Sequence, residues 1–334
     1  MIKTSRFPIE CLHRIRRFLI LAGIFLSCYL IAPTAHADYP DRVISGIIPF
    51  GVGGPSDIIS RLVATGMSKE LGRPIVMLNK PGAGGNIGMG MVASSKPDGY
   101  TLLFCSIATT QNPAVFRNMP YDPLKDLMAV AMFGESPTLI GVSATKVQAT
   151  SLAEFIDLVK KNPGKFNIAG AGGQRMTMEK FMMQFGLNLE VINFRSAGDA
   201  ATALMGGEVD LLLNNATTLT NGAQNGKIRL LAVAGNQRTK AFPNLPTTRE
   251  AGFPEYTDFA YVGLYVNAGT PADIVVKLYD ATRKALISPE VQQRFQALDY
   301  VTSQMNQQQS DAFYRSEIAR WKEVAKKANI PPVD

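Results

Sequence analysis

From residue 43 onward, short β-rich apolar runs alternate with helical stretches, the pattern of a largely parallel sheet flanked by helices. It predicts strands over 43–50, 74–79 and 100–105, with helices over 56–71 and 87–95 between them. The turn Pro97-Asp98-Gly99 introduces the third strand. Two further apolar strands, 127–133 and 138–142, follow Tyr121-Asp122-Pro123. A second series opens at Ser151, whose spacing to Glu154 is that of a capping box. It runs helix 151–161, strand 165–169, a helix from about Arg175, strand 189–194, helix 198–205, strand 209–213, helix 216–224 and strand 228–234. Strand 261–266 follows, then a helix opened by Thr270 and Pro271 as N-cap and first residue. The terminal helix, 309–329, lines up Phe313, Glu317 or Ile318, Trp321 and Val324, so Trp321 is expected in the core.

Two αβ blocks linked by two strands imply two lobes with a cleft between them. The expected class is therefore α/β, two αβ domains joined by two crossing strands. Lobe 1 takes residues 38–139 plus 264–334, and lobe 2 takes 140–263. Ligands of open α/β sheets sit at the carboxyl ends of strands, here in the cleft.

Residues 1–37 stand apart. Arg14, Arg16 and Arg17 form a basic region, residues 18–31 an apolar run, and Ala35-His36-Ala37 a small-x-small site. A signal peptide cut between Ala37 and Asp38 is expected, sending the chain to the periplasm. The rival, a membrane anchor, needs roughly 20 apolar residues, more than this run supplies. Without the leader, 29 of the 34 Lys and Arg face 26 of the 27 Asp and Glu, a net charge of about +3. The basic balance is then an export signal and no nucleic-acid footprint. Cys11 and Cys28 also go, so Cys105 has no intramolecular disulfide partner. Both histidines, His13 and His36, lie in the leader. That excludes a Ser-His-Asp or Cys-His nucleophile and a His-ligated zinc. No catalytic residue, metal or cofactor is expected.

Glycine gathers where the strands end. The loops are Pro49-Phe50-Gly51-Val52-Gly53-Gly54-Pro55-Ser56-Asp57, Asn79-Lys80-Pro81-Gly82-Ala83-Gly84-Gly85-Asn86 and Gly170-Ala171-Gly172-Gly173-Gln174. Each precedes a helix, so free N–H groups and the positive end of the dipole point outward together. Three such loops on one cleft describe a carboxylate or phosphate site. A single one is more often turn geometry, and Asp57 by itself reads equally as a cap. Gly88-Met89-Gly90-Met91-Val92-Ala93 matches a dinucleotide fingerprint but falls inside a helix, and is set aside. Arg175 and Arg195 are positioned to hold an anion. Ser106, Thr109, Thr110 and Asn214 are polar strand-end liners, whereas Cys105 reads as an apolar strand-end residue.

The opening Tyr39-Pro40, Ile48-Pro49-Phe50, Gly53-Gly54 and Asp57 resembles that of the Bug-type receptors, periplasmic solute-binding proteins of tripartite tricarboxylate transporters. The runs from Asn79 to Gly88, Pro97 to Leu103 and Pro120 to Pro123 extend the likeness, as do Gly206-Gly207-Glu208-Val209-Asp210, Leu230-Leu231-Ala232-Val233 and Ala268-Gly269-Thr270-Pro271. The resemblance covers essentially the whole chain after the leader. It implies a type II-like periplasmic-binding fold holding a small carboxylate by backbone amides and waters. It carries ligand contact to the loop from Phe50 to Asp57, to the surroundings of Ser106 and to Gly170–Gly173. The chain departs from the family pattern at three places. The second-lobe loop is short and lacks its hydroxyls, Phe194-Arg195-Ser196 replaces Tyr-Lys-Gly, and Asn214 replaces an Asp. Cations are kept and a carboxylate is lost, which favours an anion over an ammonium-bearing ligand. The expected partners are a small carboxylate and integral-membrane transporter subunits, with the receptor a monomer. The rival functions are a ligand sensor for a signalling partner and a periplasmic enzyme.

Overall fold

The computed structural model describes residues 39–53, 55–171, 175–194, 196–235 and 237–333. The leader and its cut lie outside the described residues.

Three β/α units open the first lobe. β1 (Ile44–Ile48) pairs in parallel with β2 (Ile75–Asn79) and β3 (Thr101–Ser106). The crossovers are α1 (Pro55–Leu71) and α2 (Asn86–Ala93). α2 holds the glycines of the apparent fingerprint, and they are packing positions. A Cβ at Gly88 would stand 2.9 Å from Pro49, and one at Gly90 3.0 Å from Pro120. A short helix, α3 (Ala108–Val115), follows β3 directly. Sequence gave no sign of it, because Thr-Thr and Asn-Pro are poor helix formers.

The predicted pair of strands at 127–133 and 138–142 is one strand, β4 (Leu127–Ser143). Gly134, Ser136 and Pro137 interrupt the apolar pattern, yet they stay paired with β9 in regular register, the shifts lying ahead of them at Ala129/Ala131 and Met132/Gly134. Pro137, which has no N–H to give a ladder, sits where the ladder changes partner. As far as Pro137, β4 pairs with β9 (Phe259–Asn267), which in turn pairs with β3. From Thr138 onward it pairs with β7 (Leu211–Asn214) and β8 (Ile228–Ala234).

The second lobe is built on that far half. α4 (Leu152–Lys161) leads to β5 (Asn167–Ala171), which lies parallel to β6 (Glu190–Phe194) and β7. The crossovers are α5 (Arg175–Phe185) and α6 (Ala197–Gly206), and α7 (Ala216–Gln224) connects β7 to β8. Ser151 caps α4 by accepting from the Glu154 N–H. The Glu154 carboxylate reaches Thr150 N–H at 2.8 Å, one residue ahead of a regular capping box.

The chain returns at Asp258. Its C=O accepts from Thr138 N–H at 3.0 Å, and its own N–H donates to Ala234 at 2.9 Å. Sequence placed the return within 261–266, but β9 begins earlier and lies wholly in the first sheet. By strand pairing the lobes divide at 137/138 and 258/259, against 139/140 and 263/264 from sequence. α8 (Ala272–Ile287), α9 (Pro289–Ala297), β10 (Val301–Thr302) and α10 (Gln307–Lys327) complete the first lobe.

Each lobe has its own core. Ile47, Leu103, Cys105, Tyr265, Tyr314 and Ile318 belong to the first. Phe155, Phe181, Phe185, Leu211 and Tyr256 belong to the second. Burial pushes the Cys105 thiol up, consistent with an inert apolar position. Trp321 is fully buried.

Candidate ligand-binding site between the lobes

The strand ladders fix where the loops point. Ser106, last in β3, pairs with Val262, and Val262 pairs with Gly134 of β4. Asn214, last in β7, pairs with Leu139 of the same strand. The carboxyl ends of parallel strands from both lobes are thus level with the middle of β4. Five residues separate them, about 17 Å along an extended strand. Side chains close part of that gap. Ile107, directly after β3, and Met176, second in α5, join one apolar cluster with Trp321 of α10. The β3–α3 junction and the start of α5 therefore both pack on the cluster around Trp321. Sequence reading missed Ile107 and Met176, whose only signal was an apolar residue directly after a strand-end loop.

In the β1–α1 loop, Gly53 (φ 87°) turns the chain so that its N–H donates to Asp57 at 3.0 Å. Asp57 is 2% exposed and also accepts from Arg61 Nε at 3.0 Å and Asn79 Nδ2 at 2.9 Å. Asn79 Nδ2 donates to the Phe50 carbonyl as well, at 2.8 Å. Burial pushes the Asp57 carboxyl up, but the donors from Arg61, Asn79 and Gly53 outweigh it and hold it below the ordinary range. This carboxylate is consumed in tying the loop to β2 and presents no free negative charge to the cleft. Ser56, beside it, has a buried Oγ without a hydrogen-bond partner. Gly51, Val52 and Gly53 are exposed at the loop tip, and Phe50 packs on the core.

The β2–α2 loop carries four consecutive residues at positive φ: Gly82 (130°), Ala83 (47°), Gly84 (62°) and Gly85 (97°). The run closes a tight turn at the start of α2, in which the Gly85 N–H donates to the Gly82 carbonyl at 2.8 Å. It is braced from behind, since Asn112 Nδ2 donates to Gly84 O at 3.0 Å and to Asn86 Oδ1 at 2.8 Å. Residues 81–84 are exposed and Gly85 is buried.

The remaining predicted residues divide. Ser106 is half-buried at its strand end. Thr109 is fully buried, its hydroxyl shared between Ser106 O and Tyr265 Oη at 3.1 Å each. Thr110 is likewise buried against Tyr261. Both hydroxyls anchor α3 to β9. Gly170 owes its lack of a side chain to Met178, whose methyl would lie 2.6 Å from an added Cβ. Arg175 opens α5 half-exposed, 3.9 Å from Glu179. Asn214 is 6% exposed, and its Oδ1 accepts from Asn215 N–H and Thr218 Oγ1. That fixes the amide orientation and leaves a buried Nδ2 without a partner. Gly54, Gly172, Gly173 and Arg195 lie outside the described residues. Among the described residues no group of His, Cys, Asp and Glu is placed to hold a metal ion. A surface cavity of 620 Å³, lined by Glu135, Tyr261, Val301, Met305 and Phe313, shares no residue with the predicted site.

Two αβ lobes joined through β4 and Asp258, with strand ends from both sides level with the crossing, define a solute-binding protein of the two-lobed periplasmic-binding fold. The model for the tripartite tricarboxylate transporter family receptor matches residues 59–330, and the chain belongs to that family. Its members are periplasmic solute-binding receptors and not enzymes. Protein BugT of Bordetella pertussis is 33% identical over 93% of this chain and 97% of its own. An R. palustris protein solved with adipate superposes with a TM-score of 0.79 at 29% identity, over 89% of this chain and 100% of its own. MatC from Rhodopseudomonas palustris, with bound malate, gives 0.75 at 30% identity, over 86% and 99%.

Proposed function

We propose that this receptor captures a small organic carboxylate, most simply a dicarboxylate, between its lobes and delivers it to membrane transporter subunits. One observation carries the reading: the glycine turn at 82–84 is exposed at a strand end of the first lobe, ahead of α2, and the neighbouring acid, Asp57, is paired with Gly53, Arg61 and Asn79. An anion entering there meets amide dipoles and no free carboxylate. Arg175 at the start of α5 and the spare Nδ2 of Asn214 supply donors from the other lobe. The relatives solved with adipate and malate support the chemical class. Phe50, Ser56, Gly82, Ala83, Ser106, Arg175 and Asn214 are the described residues we assign to the site. Arg195 and the glycines 54, 172 and 173 join them from sequence position.

The receptor acts in the periplasm as a monomer, after cleavage between Ala37 and Asp38. Mass spectrometry of the secreted protein should find Asp38 at its N-terminus. The ligand class is tested by calorimetry and thermal shift with adipate, malate, citrate, an aromatic acid and a neutral sugar. A carboxylate at 100 times its dissociation constant should add about 2.7 kcal/mol of stability. Heat with the sugar alone, or with none of the acids, would overturn the reading.

A further inference from the structure

Beyond ligand capture, the hinge carries a buried charge that loop chemistry does not use. Lys180 of α5 is 11% exposed at its side chain, and its ammonium donates to the Thr257 carbonyl and lies 3.4 Å from Asp258 Oδ1. The other Asp258 oxygen accepts from Thr138 Oγ1 at 2.7 Å. Thr138 and Asp258 are the residues at which the two crossing segments change lobes. The ammonium thus ties α5 to the returning segment at Thr257 and Asp258, and Asp258 in turn links that segment to Thr138 of β4. It also lies 5.3 Å from the Tyr256 ring and 5.6 Å from the Trp321 ring, and Trp321 belongs to the first lobe. Met176 stands one helical turn before Lys180, on the same face of α5, and is 1% exposed in the cluster with Trp321. Arg320 covers the other reach of the indole at 4.3 Å, itself paired with Glu317 at 2.6 Å.

We propose that Lys180 is a positioning residue that sets the angle between the lobes. Its contacts with Asp258 and Thr257 hold α5 so that Met176 meets Trp321, and with them the strand-end loops face one another. Lys180, Thr257 and Asp258 all belong to the second lobe, so rotation about 137/138 and 258/259 carries this contact along as a unit and is opposed where α5 packs on Trp321 of the first lobe. Loosening it leaves the binding loops intact but spreads the receptor over wider lobe angles. Affinity then falls by the fraction of molecules still competent, while the liganded form is unchanged.

The test reads the lobe angle without ligand. Spin labels on Lys69→Cys and Lys160→Cys, exposed positions of α1 and α4, report one inter-lobe distance in the mature protein. Cys105 is buried and stays unlabelled. Lys180→Met should widen the distance distribution by electron–electron resonance, and Asp258→Asn should do the same should the first variant fold poorly. The double variant should be no wider than the wider single, because both remove one contact. Unchanged distributions in both singles, or additive widening in the double, overturn the proposal. If adipate or malate binds, its affinity should fall about tenfold in Lys180→Met, with the wild-type distribution regained at saturation. A wild type that binds neither acid refutes the carboxylate reading and leaves the distance measurement standing.

Discussion

Asp57 offers the sharpest test of how the ligand loops are held. Replacing it by Ala strands three donors: Gly53 N–H, Asn79 Nδ2 and Arg61 Nε. Hydrogen bonds to a charged group contribute about 1.5–3 kcal/mol each when buried. Here two donors recover part of that loss. Arg61 is 41% exposed at its side chain, so water takes over its share and the pair counts as roughly 0–1 kcal/mol. Gly53 lies on the exposed loop tip. Asn79 keeps the Phe50 carbonyl and Arg61 as partners. The expected cost is about 2 kcal/mol, that of one hydrogen bond to a charged group lost from the half-buried Asn79. In a protein of this size that lowers the melting temperature by roughly 4 °C. The sign with pH follows from the depressed carboxyl. Its stabilisation is full above the unfolded value, about 3.9, and is lost as pH falls through the lower folded value. The gap between wild type and Asp57→Asn should therefore close on acidification below about pH 4. Calorimetric melts of the mature protein between pH 7 and pH 3 measure both effects. A melting temperature within about 1 °C of wild type at pH 7 would refute the account of the loop.

Two further outcomes are expected. Gly84→Ala forces a left-handed residue and puts a methyl 2.8 Å from the Phe116 ring, whereas Gly72→Ala meets nothing within 4 Å at nearly the same φ. In urea titrations Gly72→Ala should cost about 1 kcal/mol and Gly84→Ala clearly more; equal costs would mean that Phe116 yields freely. If the cleft takes an anion, Arg175→Ala should weaken dicarboxylate binding up to tenfold in calorimetry, and Asn214→Asp, which adds a negative charge, should weaken it further. Unaltered affinity in Arg175→Ala would remove that residue from the site.

Much of the fold was legible because hydrophobic periodicity and helix caps are local. β8 and α7 lie where the pattern put them, and the α/β class followed from the alternation. β4 was read as two strands because Gly134, Ser136 and Pro137 break pattern locally, and only the pairing with β9 keeps them extended. The site was less legible. Thr109, Asp57 and Gly170 stand at strand ends as a ligand contact would, but Thr109 and Asp57 find partners in Tyr265 and Asn79, distant in sequence, and Gly170 meets Met178 of the following helix. Nothing near Lys180 in the chain signals that its ammonium meets a carboxylate 78 residues later. Long-range pairing decides whether a polar side chain faces a ligand or the protein, and composition is silent on that.

A site made largely of peptide amides separates attraction from discrimination. Amides at helix starts draw any carboxylate with similar strength, because their field is set by backbone geometry and not by side-chain identity. Relatives that share this fold are solved with malate and with the longer adipate. For this chain, with its proposed donors split between the lobes, the second carboxylate of a diacid is reached only at one separation of the two halves. Choice among diacids of different length then belongs to the hinge as much as to the loops. On the proposed site, specificity then rests also on β4, Asp258 and Lys180. A variant altered only at the hinge should change which diacid is preferred while leaving the rank of monoacids, which engage one lobe, where it was.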